Sequence, residues 1–262
     1  MYSPIAAEQL KALIAHDRWA IHGTSSRPLF KGSNWLDSDH VAYMFKSIPG
    51  ARPSKTANYN GHYYDWLLNG LPSWKCYPAR NASLIGTTKH SNASSYARTG
   101  SVWRIVLPND GRIAICPACD IWYSFNANLS QLGIDGYDVA LYRLNDSIRE
   151  AQLNYGLVAA TDYLQLMNLL EEIRTNARKH SPSLTFITRR FIERIASYNG
   201  DLEVWLSELL SPSSNAFNLY STEEYARVVK PMNNEIWSDS LCLLVSEDWY
   251  RTHMPEHSSI AE

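Results

Sequence analysis

Cysteine is scarce in this chain. Four cysteines in 262 residues, Cys76, Cys116, Cys119 and Cys242, fall far below the density of disulfide-stapled secreted domains, which fits a reducing compartment. No second Cys-x-x-Cys and no histidine pair accompanies Cys116-Pro117-Ala118-Cys119, so the complement that a structural zinc site needs is missing. No apolar run approaches the ~20 residues that cross a bilayer, and no membrane association is expected. The opening stretch lacks the charged and apolar regions of a signal peptide. A soluble chain is therefore expected, with any export into a host cell taking a signal-peptide-independent route. Positive charge is not in excess either: 24 lysines and arginines face 26 acids, for a net charge of −2. That removes the broad electrostatic footprint of a protein that grips nucleic acid by its phosphates, a local basic groove apart. Repeats and low-complexity tracts are absent as well.

What is present is apolar bulk. With 45% hydrophobic residues the chain can bury a large core, and the reading is one domain over 1–262 carrying a helical insert at 147–210. Nine tryptophans and sixteen tyrosines exceed what such a core asks for; aromatics serve packing and ligand clefts alike.

Periodicity organises the chain. Residues 5–16 repeat apolar positions at helical spacing, and Arg18-Trp19-Ala20-Ile21 then changes to a strand-like run stopped by Gly23. Helices are expected at 37–46, capped by Asp37 or Ser38, and at 63–68, with a loop between them. Strands are expected at 83–87, 101–107, 112–116 and 137–144, and a helix at 92–98. Pro108-Asn109-Asp110-Gly111 is a strong turn signal between the second and third of those strands. From 147 to 210 nearly every segment has helical spacing. A short helix near 222–229 then precedes two last strands, 235–237 and 241–245. Strands at both ends with helices between them indicate an α+β fold rather than an alternating one.

Three segments carry chemistry. In Trp19-Ala20-Ile21-His22-Gly23-Thr24 a histidine leaves a strand and meets a glycine. In Leu84-Ile85-Gly86-Thr87-Thr88-Lys89-His90-Ser91-Asn92-Ala93-Ser94-Ser95-Tyr96-Ala97 a strand ends in hydroxyl residues and a helix presents Ala93 and Tyr96 at i, i+3. In Asn233-Asn234-Glu235-Ile236-Trp237 a carboxylate opens a late strand. Taken singly, each has an ordinary explanation: a capping histidine, a strand-helix-strand corner with Tyr96 in the core, an exposed strand-edge acid.

In this order and spacing the three resemble the ADP-ribosyltransferase superfamily of diphtheria-type toxins and poly-ADP-ribose polymerases. Its marks are His-Gly-Thr on the first strand, a strand-Ser/Thr-helix corner with a stacking tyrosine, and a late strand-entry glutamate. The likeness touches about a third of the chain, and one position departs from it: Ile85 stands where the toxin-like pattern has a tyrosine. The resemblance implies a split β-sheet core that holds NAD without a metal. Breaking the nicotinamide–ribose bond develops oxocarbenium character at the sugar, and a carboxylate beside the ribose stabilises that charge. By resemblance Glu235 is that catalytic carboxylate and His22 is its catalytic partner, bonded to the ribose next to adenine. The Gly23 backbone would pair with the nicotinamide carboxamide, Thr24 would be among the NAD-binding residues, Tyr96 would stack on the nicotinamide ring, and Thr87 or Thr88 would support the glutamate or the ribose. His22, Tyr96 and Glu235 should then converge on one cleft. The resemblance further implies mono-ADP-ribosyl transfer to a protein acceptor by a bacterial toxin or injected effector, host ubiquitin being among the acceptors it suggests. The helical insert, with Arg189 and Arg190, is the expected acceptor-recognition element.

Rival readings remain. Glu223 and Glu224 compete for the carboxylate role, although a capping box with Ser221 suits their position better. An NAD-dependent tRNA 2′-phosphotransferase-like enzyme shares the His-Gly-Thr segment, and the lack of net positive charge counts against it. Cys116 and Cys119 could serve a thiol enzyme or metal module, but 120–125 does not read as the helix that activates a redox pair. Asn34-Trp35-Leu36-Asp37-Ser38-Asp39-His40 is distantly similar to the entry motif of ubiquitin-like-protein proteases, whose later residues do not follow. An aromatic-rich binding module is the non-enzyme alternative.

Overall fold

The computed structural model describes residues 1–15, 19, 27–47, 63–134, 139–177, 183–227 and 233–254. The chain divides into two compact units, one made of Met1–Arg52, Pro78–Cys119 and Asn218–Glu262, the other of Pro53–Tyr77 and Asp120–Phe217.

Among the described residues the first unit is built on a single open antiparallel sheet of nine strands: β1 (Tyr2–Ile5), β2 (Leu29–Ser33), β3 (Ala42–Phe45), β4 (Leu84–Thr87), β5 (Ser101–Val106), β6 (Arg112–Ile115), β7 (Asn218–Ser221), β8 (Glu235–Ser238) and β9 (Cys242–Ser246). Their order is β1-β3-β9-β5-β2-β4-β8-β6-β7. Pro4, which cannot donate to a ladder, sits on the edge strand β1, where its missing N–H does least harm. β9, third from the β1 edge, has both faces covered: Cys242 and Leu244 join one core cluster with Trp103, Ile105 and Ile236, while Leu243 and Val245 join another with Leu10, Trp19 and Tyr250. That explains why its sequence is an unbroken apolar run.

The sheet is nearly two sheets. β2 pairs with β5 over five residues and β4 with β8 over four, yet β2 and β4 share one register pair, Phe30↔Thr87. Gly86 permits even that approach, since a Cβ there would lie 2.6 Å from the Phe30 carbonyl oxygen. The helix His90–Ala97 lies directly on β2, with Ala93 and Ala97 buried. A Cβ on Gly32 would stand 1.8 Å from the Ala93 carbonyl oxygen.

Four expectations change. Residues 42–45 form β3 rather than a helix: Asp37 closes a turn by accepting from the Asp39 N–H, Tyr43 bonds back to Asp37, and β1 and β9 pair with the segment on both sides. Residues 140–144 begin the long helix Ala140–Asn154, because Leu141, Leu144, Ile148 and Ala151 make one buried helical stripe. The turn at 108–111 joins β5 and β6 without pairing them, as β5 pairs with β2 and β9, and β6 with β7 and β8. The first helix starts at Ala7, after β1. Of the strand-like run at 18–21 only Trp19 is described, bridged to Pro108.

The second unit is helical: Tyr63–Gly70, Asn126–Leu129, Ala140–Asn154, Tyr163–Asn176, Phe186–Ser197 and Leu202–Leu209. Asp162, Thr185 and Asp201 cap three of these helices by accepting first-turn N–H bonds. Trp74 packs against Tyr77, Phe125 and Phe217, and its indole N–H bonds the Leu210 carbonyl at 2.8 Å, which absorbs part of the aromatic excess. Segment 147–210 falls inside this unit, which also takes in 53–77 and 120–146.

Candidate functional site

β4 ends where the sheet is joined. Thr87, the last residue of β4, is in register with Phe30 on one side and with Glu235, the first residue of β8, on the other. The Thr87 hydroxyl accepts the Lys89 N–H at 3.2 Å, a local side-chain bond that turns the chain out of the strand and into the following helix. Thr88 completes a clasp with the residue before Glu235: its N–H donates to the Asn234 carbonyl at 3.0 Å, and its Oγ1 accepts the Asn234 N–H at 2.9 Å.

Cys116 to Ala118 fixes the head of β8 from the other side. The Cys116 N–H donates to the Glu235 carbonyl at 2.9 Å, the Glu235 N–H donates to the Ala118 carbonyl at 2.8 Å, and the Asn234 side-chain amide donates to the Cys116 carbonyl at 2.7 Å. The Cys-Pro-Ala-Cys segment thus acts on this site through its backbone. Neither Cys116 nor Cys119 is in a disulfide, and Cys116 is fully buried. No group of three or more His, Cys, Asp or Glu side chains with metal-binding geometry occurs among the described residues.

Glu235 is not the exposed edge acid that its sequence context suggests. It is buried in an interior strand, and Arg80 donates to its Oε1 from both Nε, at 3.1 Å, and Nη2, at 3.0 Å. Lys31 of β2 is the second cation of the neighbourhood; its Nζ donates to the Ile85 carbonyl of β4 at 3.1 Å. Burial strips water from that ammonium and lowers its pKa to about 8, while attraction from Glu235 partly offsets the shift. A guanidinium beside a buried carboxylate favours the ionised form against the cost of burial, and in such a site the field of a charge acts with little solvent screening.

The other expected residues divide. Tyr96 lies on the helix after Thr88 but not on its buried face, which Ala93 and Ala97 form; the residue is 55% exposed, so a core role is excluded. His22, Gly23 and Thr24 lie outside the described residues. Glu224 forms a capping box with Ser221, accepting the Ser221 N–H at 2.7 Å while its own N–H bonds the Ser221 hydroxyl at 3.1 Å; hydrogen bonds to its carboxylate from the Ser221 backbone N–H and then from the Ser221 side chain lower its pKa. Glu223 pairs with Arg227 on the surface. In the second unit Arg189 is exposed and Arg190 half-buried, its guanidinium over the Phe186 ring. Arg80 and Lys31 were not expected. A single arginine opening a one-turn helix and a lysine in Leu29-Phe30-Lys31-Gly32-Ser33 leave no periodic mark, since neither patterning nor spacing distinguishes them from surface charges.

Comparison with known proteins finds no matching family model, no matching curated protein and no matching solved structure.

Proposed function

We propose that the chain is a mono-ADP-ribosyltransferase that takes NAD as substrate, releases nicotinamide and transfers ADP-ribose to a protein acceptor, on an ADP-ribosyltransferase-like split-sheet fold. The observation that carries this reading is the pairing of Thr87 with Glu235 at the one-residue joint of the sheet. It brings the hydroxyl corner and the late carboxylate, two motifs about 150 residues apart, to adjacent strand ends. A sheet held at its middle by one pair has the makings of a split core.

The donor set suits the substrate. Glu235 would face the ribose whose bond to nicotinamide breaks, stabilising the positive charge that develops as neutral nicotinamide leaves with the bonding electrons. Thr88 keeps the head of β8 in register with the corner, and Tyr96, exposed on the helix that follows, would stack on a planar heterocycle. The acceptor nucleophile then bonds to the sugar carbon and gives up its proton. Acceptor recognition is assigned to the helical segment 147–210, and a bacterial effector acting on a host protein such as ubiquitin is the setting the motifs suggest.

Two readouts test the reading. Saturating NAD at ~100 times its Kd should stabilise the protein by ~2.7 kcal/mol in a thermal shift measured against other nucleotides. Adenine-labelled NAD incubated with the chain and a cell lysate should leave label on protein. Absence of both effects would remove the proposal.

A further inference from the structure

The inference that follows rests on Glu235 as the carboxylate beside the ribose. We infer that Arg80 is a positioning residue, which keeps the Glu235 carboxylate ionised and fixes the direction in which it points.

Three observations converge on it. Both side chains are almost sealed from water, at 4% and 8% exposure, and a buried carboxylate without a cationic partner takes up a proton and loses the charge that transfer needs. Two donors of one rigid guanidinium, Nε and Nη2, meet the same oxygen, a geometry that fixes direction as well as charge and that an ammonium cannot reproduce. Arg80 is itself anchored to the strand it serves. The Trp237 indole N–H, two residues along β8 and so on the same face as Glu235, donates to the Pro78 carbonyl at 2.9 Å. The short helical turn Arg80–Ala82 is closed behind it by the Ala82 N–H and the Ser83 hydroxyl, both bonded to the Ala79 carbonyl.

A buried ion pair contributes little net stability, since desolvation offsets the attraction, so this arrangement at a strand head is better explained by orientation than by stability. Arg80 and Lys31 are two cationic groups that act on Glu235. Of these only Arg80 hydrogen-bonds the carboxylate. Lys31 donates to the backbone of β4 instead.

The test uses the full chain with Arg80→Lys and Arg80→Gln. The titration of the Glu235 side-chain carboxyl carbon, followed by NMR, needs no enzymatic activity. Its midpoint should move to higher pH in Arg80→Gln and by less in Arg80→Lys. Nicotinamide release should fall by about 10²-fold in kcat for Arg80→Gln with KM nearly unchanged, as for a misplaced catalytic group, and Arg80→Lys should recover part of it. If Arg80→Gln does not fold, Arg80→Lys carries the test, with a smaller shift and a fall in kcat at constant KM. A wild-type midpoint in folded variants would overturn the inference. If the wild-type chain releases no nicotinamide, the functional reading fails while the carboxyl titration still decides the role of Arg80.

Discussion

Thr87 and Glu235 are paired across adjacent strands at the point where the sheet is held together by one register pair, and Arg80 closes over the carboxylate. This arrangement separates Glu235 from the two acids that compete with it in the sequence. Glu235→Gln should lower kcat by roughly 10²–10³, about 3–4 kcal/mol, because the cationic transition state loses its electrostatic partner. Glu223→Gln and Glu224→Gln should stay within several-fold of wild type. The buried pair adds a stability effect: removing one partner costs about 3–5 kcal/mol, and the acceptor oxygen that glutamine retains for the guanidinium puts the loss at the lower end. Urea denaturation of Glu235→Gln beside the rate measurement distinguishes the two effects. A silent Glu223 or Glu224 variant with an active Glu235→Gln would reassign the carboxylate.

Lys31 gives the fold an alkaline signature. The folded chain releases this proton near pH 8, while an unfolded lysine holds it up to about 10.5, so unfolding takes up a proton between those values and stability contributed by this site rises with pH. Tyr2 and Tyr225 act in the opposite sense above ~10, since burial raises their pKa values and the unfolded chain ionises first. The measurement is the wild-type minus Lys31→Met difference in unfolding free energy from pH 7 to 9.5. It should rise with pH across that window, and a flat difference would mean that Lys31 titrates like a solvated lysine.

Gly86 carries the joint of the sheet. In Gly86→Ala the new methyl would fall 2.4 Å from Ile105 Cδ1 and 2.6 Å from the Phe30 carbonyl oxygen, so β2 and β4 must separate where they share their one pair. The expected loss is about 1–3 kcal/mol, as for overpacking elsewhere. Hydrogen exchange should rise at Thr87 and neighbouring amides of β4 ahead of the β5–β9 ladder. Wild-type stability and exchange would show that the two half-sheets do not depend on this contact.

The elements legible in the sequence are those whose burial is written in periodicity. β5 and β9 read as strands because both lie deep in the sheet, and the helices of 147–210 read as helices because one stripe of each is buried. β3 misleads because Asp37 and Ser38 look like a helix cap, and only pairing with β1 and β9, distant in sequence, makes 42–45 a strand. β2 hides behind Lys31 and Gly32, residues placed there by the joint and by the helix lying on the strand. At the site, the order of Thr87, Thr88, Tyr96 and Glu235 is legible, but burial of Glu235 is not, because it depends on Arg80, 155 residues earlier in the chain.

The most direct measurement is release of free nicotinamide from NAD by the purified 262-residue chain, followed by chromatography with and without a protein acceptor and repeated with Glu235→Gln. The account predicts enzyme-dependent release that an acceptor accelerates and that Glu235→Gln lowers by roughly 10²–10³ in kcat. No release above the uncatalysed rate with either acceptor condition, or equal release by wild type and Glu235→Gln, would contradict it.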